Sequence, residues 1–89
     1  MTEIYFPKSE FILGPEALRN LDNLTFVHLG GCTYIGNNAL KYNPLLQSVI
    51  MSKVTDIKGH AFSQCISLKE IQIPDSCTYI GYYAFNKCL

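Results

Sequence analysis

The sequence has no excess of charge of either sign. Its seven basic and seven acidic residues cancel in a chain of 89 residues, and charged residues make up only 16% of it. Nucleic acids and anionic membranes attract proteins through clustered Lys and Arg side chains. The composition therefore favours neither of them as a partner.

The chain also lacks a long apolar run and a leader-like N-terminus. No apolar stretch approaches the roughly 18–20 residues of a membrane-spanning helix, so we expect no insertion into a membrane. The first residues show no basic region followed by a long apolar stretch, which is the pattern of a signal peptide. Two localisations stay open: the cytoplasm if residues 1–89 are the whole chain, and the cell surface or the medium if they are part of a longer secreted protein.

Metal-ligating and catalytic patterns are missing as well. No two cysteines form a C-x-x-C pair, and the two histidines are not spaced as paired zinc ligands. His60 and Cys65 are close in sequence, but Cys65 falls at a position that we expect to face the core. The sequence therefore predicts no metal, no cofactor and no enzyme activity.

What the sequence does contain is an internal repeat. Four alanines each lie four residues after an aliphatic residue and just before Leu or Phe, and the gaps between them are 22, 22 and 23 residues. These alanines are Ala17, Ala39, Ala61 and Ala84. A fixed period of this size predicts a solenoid, in which each rung of the chain stacks only on its neighbours.

Each repeat predicts the same series of local structures. In the second repeat, Leu24, Val27 and Leu29 give Leu-x-x-Val-x-Leu, where the alternating apolar residues indicate a short strand. This is the core pattern of a leucine-rich repeat. A Gly or Pro turn and a second extended stretch follow, and then a glycine, here Gly36, opens what we interpret as a short helical turn. The Ala-Leu or Ala-Phe pair would form the buried side of that turn.

The repeat over residues 67–88 resembles the BspA-type leucine-rich repeat, which reads approximately S-L-x-x-I-x-I-P-x-S-V-T-x-I-G-x-x-A-F-x-x-C. The resemblance covers essentially the whole chain and is looser before Tyr34. It implies an α/β fold, a right-handed β/α superhelix of about 3.5 turns of 22–23 residues. It implies one array over residues 1–89, a fragment or short relative of a longer one. It also implies cell-surface or secreted proteins that adhere to host or other cell-surface proteins, with no shared catalytic residues.

Outward-facing strand positions form two neighbouring columns, which we expect on the concave sheet face where solenoids commonly bind. The candidate binding residues, all in these columns, are Tyr5, Phe26, His28, Ile50, Glu70 and Gln72. Exposed apolar residues in one patch suit a protein partner. The function that we predict is a protein-binding or adhesion module. The alternative is a structural spacer of a longer repeat protein with no ligand of its own.

The cysteines and the ends of the array carry two further expectations. Cys65 and Cys88 hold the same place in successive repeats, so a disulfide between them is possible on distance, and buried free thiols are the alternative. The last repeat leaves Phe85 and the 71–73 strand edge without a following repeat to cover them. Since uncovered apolar side chains and open strand edges favour association, we expect self-association end to end.

Overall fold

In the computed structural model, which describes residues 2–88, eight short strands form two parallel sheets. The first sheet has the order β1-β3-β5-β7 and the second has the order β2-β4-β6-β8. The strands are β1 (Thr2–Tyr5), β2 (Phe11–Leu13), β3 (Leu24–His28), β4 (Cys32–Ile35), β5 (Ser48–Ile50), β6 (Asp56–Ile57), β7 (Glu70–Ile71) and β8 (Tyr79–Ile80). Each rung of the solenoid therefore adds one strand to each sheet. The four rungs are residues 2–23, 24–45, 46–67 and 68–88.

The strands pair between equivalent positions of successive rungs. In the first sheet Val27 lies opposite Ile4 on one side and Val49 on the other. In the second sheet Ile35 lies between Leu13 and Ile57. Such pairing places each side chain directly above its counterpart at the spacing of neighbouring strands, about 4.8 Å. The predicted in-register solenoid is confirmed.

The core is a continuous apolar column inside the rungs. Val27, Ile35, Leu40 and Phe62 are fully buried. Apolar side chains at the two ends of the solenoid are less well covered than those in the middle. Ile4 in the first rung and its counterpart Ile71 in the fourth are only partly buried. The middle rungs therefore carry most of the hydrophobic stabilisation.

The structure corrects the predicted α/β superhelix. Residues 2–88 contain no helix, and they form a β-solenoid of about four rungs. The segments that we interpreted as helical turns are consecutive β-turns. They stack into a third wall beside the two sheets, which we call the turn wall: residues 15–20, 37–42, 59–64 and 82–87.

Hydrogen bonding explains why these segments do not become helices. The N–H of Ala39 donates to the carbonyl oxygen of Gly36, three residues earlier (3.2 Å), whereas the N–H of Leu40 donates to Ala61 in the next rung (2.7 Å). An α-helix would direct both groups four residues back along the same segment. In the first three rungs every second N–H of the turn wall therefore donates to the following rung, and these bonds hold the wall together.

Backbone dihedrals in the turn wall are also incompatible with a helix. Two positions in every rung have a left-handed φ, as the third residue of a type II turn does. The eight residues are Glu16, Asn20, Asn38, Tyr42, His60, Gln64, Tyr83 and Lys87, with φ between 56° and 64°. L-residues in this region cost roughly 1–2 kcal/mol each, and in the first three rungs the N–H of each such residue donates to the following rung, which offsets part of that cost.

Candidate functional site

Strand pairing brings the predicted binding residues onto one surface. The outer face of the first sheet carries two columns, which we call the binding face: Glu3, Phe26, Ser48 and Glu70 in one, and Tyr5, His28, Ile50 and Gln72 in the other. Gln72 lies one residue beyond the end of β7. Tyr5 and Ile50 are 65% and 47% exposed, while Phe26 and His28 are half-buried. Apolar groups therefore remain in contact with solvent at two places on this surface, in the first and third rungs.

Three rings form a cluster at the first-rung end of the binding face. The ring of Tyr5 lies 5.5 Å from that of Phe26 and 6.0 Å from that of His28, centre to centre. The Tyr5 hydroxyl donates to the Glu3 carboxylate (3.1 Å), and this hydrogen bond, with the nearby negative charge, raises the pKa of Tyr5. The backbone N–H of Gly30 donates to Nδ1 of His28 (3.2 Å). These contacts favour the orientations that the rings have in the structure.

Two shallow hollows lie on the binding face and meet at Ser48. One has a volume of about 280 Å³ and is lined by Ile50, Met51, Glu70 and Gln72 among others. The second has a volume of about 360 Å³ and is lined by Glu3, Tyr5, Thr25, Phe26, Gln47 and Ser48. The small side chain of Ser48, between the larger Phe26 and Glu70 in its column, leaves the surface low where the hollows meet. Together they form a shallow track across the strands.

The charges along this track are of one sign. Glu3 and Glu70 lie at the two ends of one column, and no Lys or Arg lines either hollow. Carboxylates at both ends of an apolar centre favour a partner with cationic groups flanking an apolar side chain.

The cysteines have a structural role that the sequence did not reveal. The thiol of Cys65 donates to the carbonyl oxygen of Leu40, and that of Cys88 donates to Phe62, both at 3.1 Å and both in the preceding rung. Asn43, at the same position of the second rung, donates to Leu18 in the same way (3.0 Å). In the structure all four cysteines are free thiols, and of the pair Cys65 and Cys88 the first is buried and the second is half-buried.

Burial makes Cys65 chemically inert. Desolvation raises the pKa of its thiol to about 12, well above the ordinary 9.0. Since the thiolate is the nucleophilic form, Cys65 is not a reactive cysteine at neutral pH. His60 is close to Cys65 in sequence but does not act as its base, because the His60 ring packs edge-on against Tyr82 and Tyr83.

The raised pKa of Cys65 predicts a loss of stability at alkaline pH. Well below pH 9.0 the thiol is protonated in both the folded and the unfolded chain. Between pH 9.0 and about 12 the unfolded chain releases the proton and the folded chain does not, so the free energy of unfolding falls. In urea titrations, Cys65→Ala should lose less stability than the parent over this range. Equal pH dependence of the two proteins would contradict the assignment.

Residues 2–88 contain no helix that could span a bilayer. Over the same residues, no group of three or more His, Cys, Asp and Glu side chains is arranged to hold a metal ion.

Comparison with protein families agrees with this geometry. The family model described as BspA type leucine-rich repeat region matches residues 1–89, with six copies of the repeat. The chain belongs to the BspA-type leucine-rich repeat family. No curated protein and no solved structure matches it. BspA-type leucine-rich repeats are repeat modules and are not typically enzymes.

Proposed function

We propose that this BspA-type repeat array is a protein-binding module that acts through its binding face. The observation that supports the proposal most is the exposure of Tyr5 and Ile50 beside two adjoining hollows on one sheet face. Exposed apolar residues grouped with half-buried aromatic rings are typical of sites that become buried on association. Adhesion to a host or cell-surface protein is the biological role that the family resemblance implies.

The shape and charge of the face limit the kind of partner. Both hollows are open to solvent, and residues in and next to the strands of the first sheet line them. A protein segment with an aliphatic or aromatic side chain could fill the hollow beside Ile50. Lys or Arg side chains on that segment could then pair with Glu3 and Glu70, which would fix its position along the track.

Hydrogen bonds within the face support the same function. The Tyr5 hydroxyl donates to Glu3 and Nδ1 of His28 accepts from Gly30, and each bond favours one orientation of its ring. Side chains that are already ordered lose less conformational entropy on binding, and a larger share of the contact energy then appears as affinity. A spacer without a ligand has no need of such ordering.

A peptide selection tests the proposal. The 89-residue chain is immobilised and used to select from a random peptide display library, and the enriched peptides are measured against variants. Replacing Tyr5, Phe26 and Ile50 together with Ser should weaken binding at least about tenfold. The control replaces Ile12, Tyr79 and Tyr82 with Ser, which are exposed on the other faces.

The enriched peptides should contain apolar residues beside Lys or Arg and should bind the control variant as tightly as the parent. No enrichment at all is the result expected of a structural spacer, and it would overturn the proposal. Peptides that bind the Tyr5, Phe26 and Ile50 variant with full affinity would show that binding occurs elsewhere on the solenoid. Circular dichroism melting of each variant confirms that it is folded.

A further inference from the structure

The three internal junctions between rungs use the same four backbone hydrogen bonds. Three N–H groups of the turn wall donate to the following rung, and one N–H of the following rung donates back. At the first junction these bonds are Glu16 to Asn37 (3.0 Å), Leu18 to Ala39 (2.8 Å), Asn20 to Lys41 (3.0 Å) and, in return, Gly36 to Leu13 (2.8 Å). The second and third junctions repeat them at distances of 2.6–3.1 Å. Junctions of this kind are therefore a fixed property of the repeat.

The two ends of the solenoid present the unused halves of this pattern. In the fourth rung the N–H groups of Tyr83, Phe85 and Lys87 donate to no other described backbone group. In the first rung the carbonyls of Pro15, Ala17 and Arg19, at the positions that accept such bonds, receive none from the described residues. The fourth bond of the pattern also has an unused half at each end: the N–H of Gly14 in the first rung and the carbonyl of Ile80 in the fourth.

We infer that the fourth rung of one copy of this chain binds the first rung of a second copy, as if the solenoid continued. Tyr83, Phe85 and Lys87 would donate to Pro15, Ala17 and Arg19 of the next copy, and Gly14 of that copy would donate to Ile80. One end supplies three donors and the other supplies three acceptors at matching positions. The contact is heterologous, since each copy uses two different surfaces.

Side-chain packing at the two ends supports this assignment. Ala39, Ala61 and Ala84 each have a rung before them and are at most 2% exposed, whereas Ala17 is exposed because its rung is the first. The contact would bury Ala17 as the other three are buried. It would also complete the apolar column of Ile4, Val27, Val49 and Ile71, whose two end members are only partly buried. Both ends thus carry interior-type residues.

One pair of side chains opposes the contact. Glu70 is the last residue of its column and Glu3 is the first, so stacking would bring the two carboxylates to neighbouring strand positions. Like charges at directly opposite sheet positions are destabilising. The contact should therefore be weak in the parent chain, and it should respond to the charge at position 70.

Sedimentation equilibrium of the 89-residue chain tests the inference at concentrations up to about 1 mM. The average mass should rise above the monomer mass of 10.0 kDa and continue past the dimer, because a heterologous contact that does not close leaves free ends. Ala17→Glu should raise the dissociation constant at least about tenfold, since it places a charge in a buried junction without affecting the monomer. Ala17→Ser is the matched control and should associate nearly as the parent does.

Charge reversal tests the register of the contact. Glu70→Lys would place a lysine beside Glu3 of the next copy and should lower the dissociation constant about threefold or more. Adding Glu3→Lys should abolish that gain. A strict monomer of 10.0 kDa at every concentration would overturn the inference, as would Ala17→Glu with unchanged association. These outcomes do not depend on peptide binding, so this inference and the proposed function can fail separately.

Discussion

Replacing Phe62 with Ala should remove a large part of the stability of the protein. Phe62 is fully buried in the third rung, and its ring stacks on that of Phe85 in the fourth rung, 5.3 Å away and 3° from parallel. Truncation of a buried Phe costs about 3–5 kcal/mol, because it removes buried apolar surface and leaves a cavity. A domain of this length is stable by about 4–13 kcal/mol in total. The change should appear in urea unfolding as a large decrease in the midpoint.

Tyr82 provides the control for this prediction. It is an aromatic residue of the same wall, in the fourth rung, but it is 70% exposed. Tyr82→Ala should change the free energy of unfolding by less than about 1 kcal/mol, since its contacts with His60 and Tyr83 are at the surface. Similar losses for Phe62→Ala and Tyr82→Ala would mean that the rungs do not enclose a core at Phe62.

Gly30→Ala should be the second most damaging substitution. Gly30 turns the chain between the two sheets with a φ of 55°, which costs an alanine roughly 1–2 kcal/mol. A Cβ at this position would also overlap the carbonyl oxygens of Phe6 and Pro7 in the first rung. Overpacking of this kind costs about 1–3 kcal/mol, and here the obstructing atoms are backbone and cannot rotate away. Chemical denaturation measures the sum.

Gly14→Ala is the matched control for Gly30→Ala. It makes the same chemical change in the first rung, where an added Cβ would meet no atom within 4 Å and the φ is not left-handed. The variant should be as stable as the parent or more stable by about 0.4–1 kcal/mol, because alanine restricts the unfolded chain. The measurement belongs at low protein concentration, so that association through the first rung does not contribute. If both glycine variants lost the same stability, close approach of the first two rungs would be excluded.

The sequence predicted the stacking of the rungs well because stacking depends on period alone. Parallel strands in register place equal positions of a repeat over one another, so the column of Ile4, Val27, Val49 and Ile71 follows from counting residues. The same reasoning placed Cys65 and Cys88 at one position, where both thiols donate to the preceding rung.

The third wall was predicted wrongly because its stabilising bonds lie outside any single repeat. Ile35, Ala39 and Leu40 have the spacing of one helix face, and this pattern favours a helix when each segment is considered alone. The decisive bonds join Leu40 to Ala61 and Leu18 to Ala39, in other rungs. A sequence signal was present at Asn20 and Asn38, since asparagine tolerates the left-handed region better than most residues.

The sequence predicted which residues the two columns of the candidate site contain, but it did not predict the hollows between them. Strand alternation identified the outward residues, including Tyr5 and Ile50, which the structure leaves exposed. The hollows depend on differences in side-chain size between neighbouring strands, such as Ser48 beside Phe26, and on where each strand ends. Neither quantity is visible before the register of the sheet is known.

The most direct test of the account is the detection of hydrogen bonds between rungs by NMR, through scalar couplings across the bond from amide nitrogen to carbonyl carbon. Couplings should join Leu18 to Ala39, Leu40 to Ala61 and Phe62 to Ala84, whose N···O distances are 2.7–2.8 Å. These bonds define both the stacking of rungs and the turn wall. A coupling from the Leu40 nitrogen to the Gly36 carbonyl, four residues earlier, would show a helix instead and would contradict the β-solenoid.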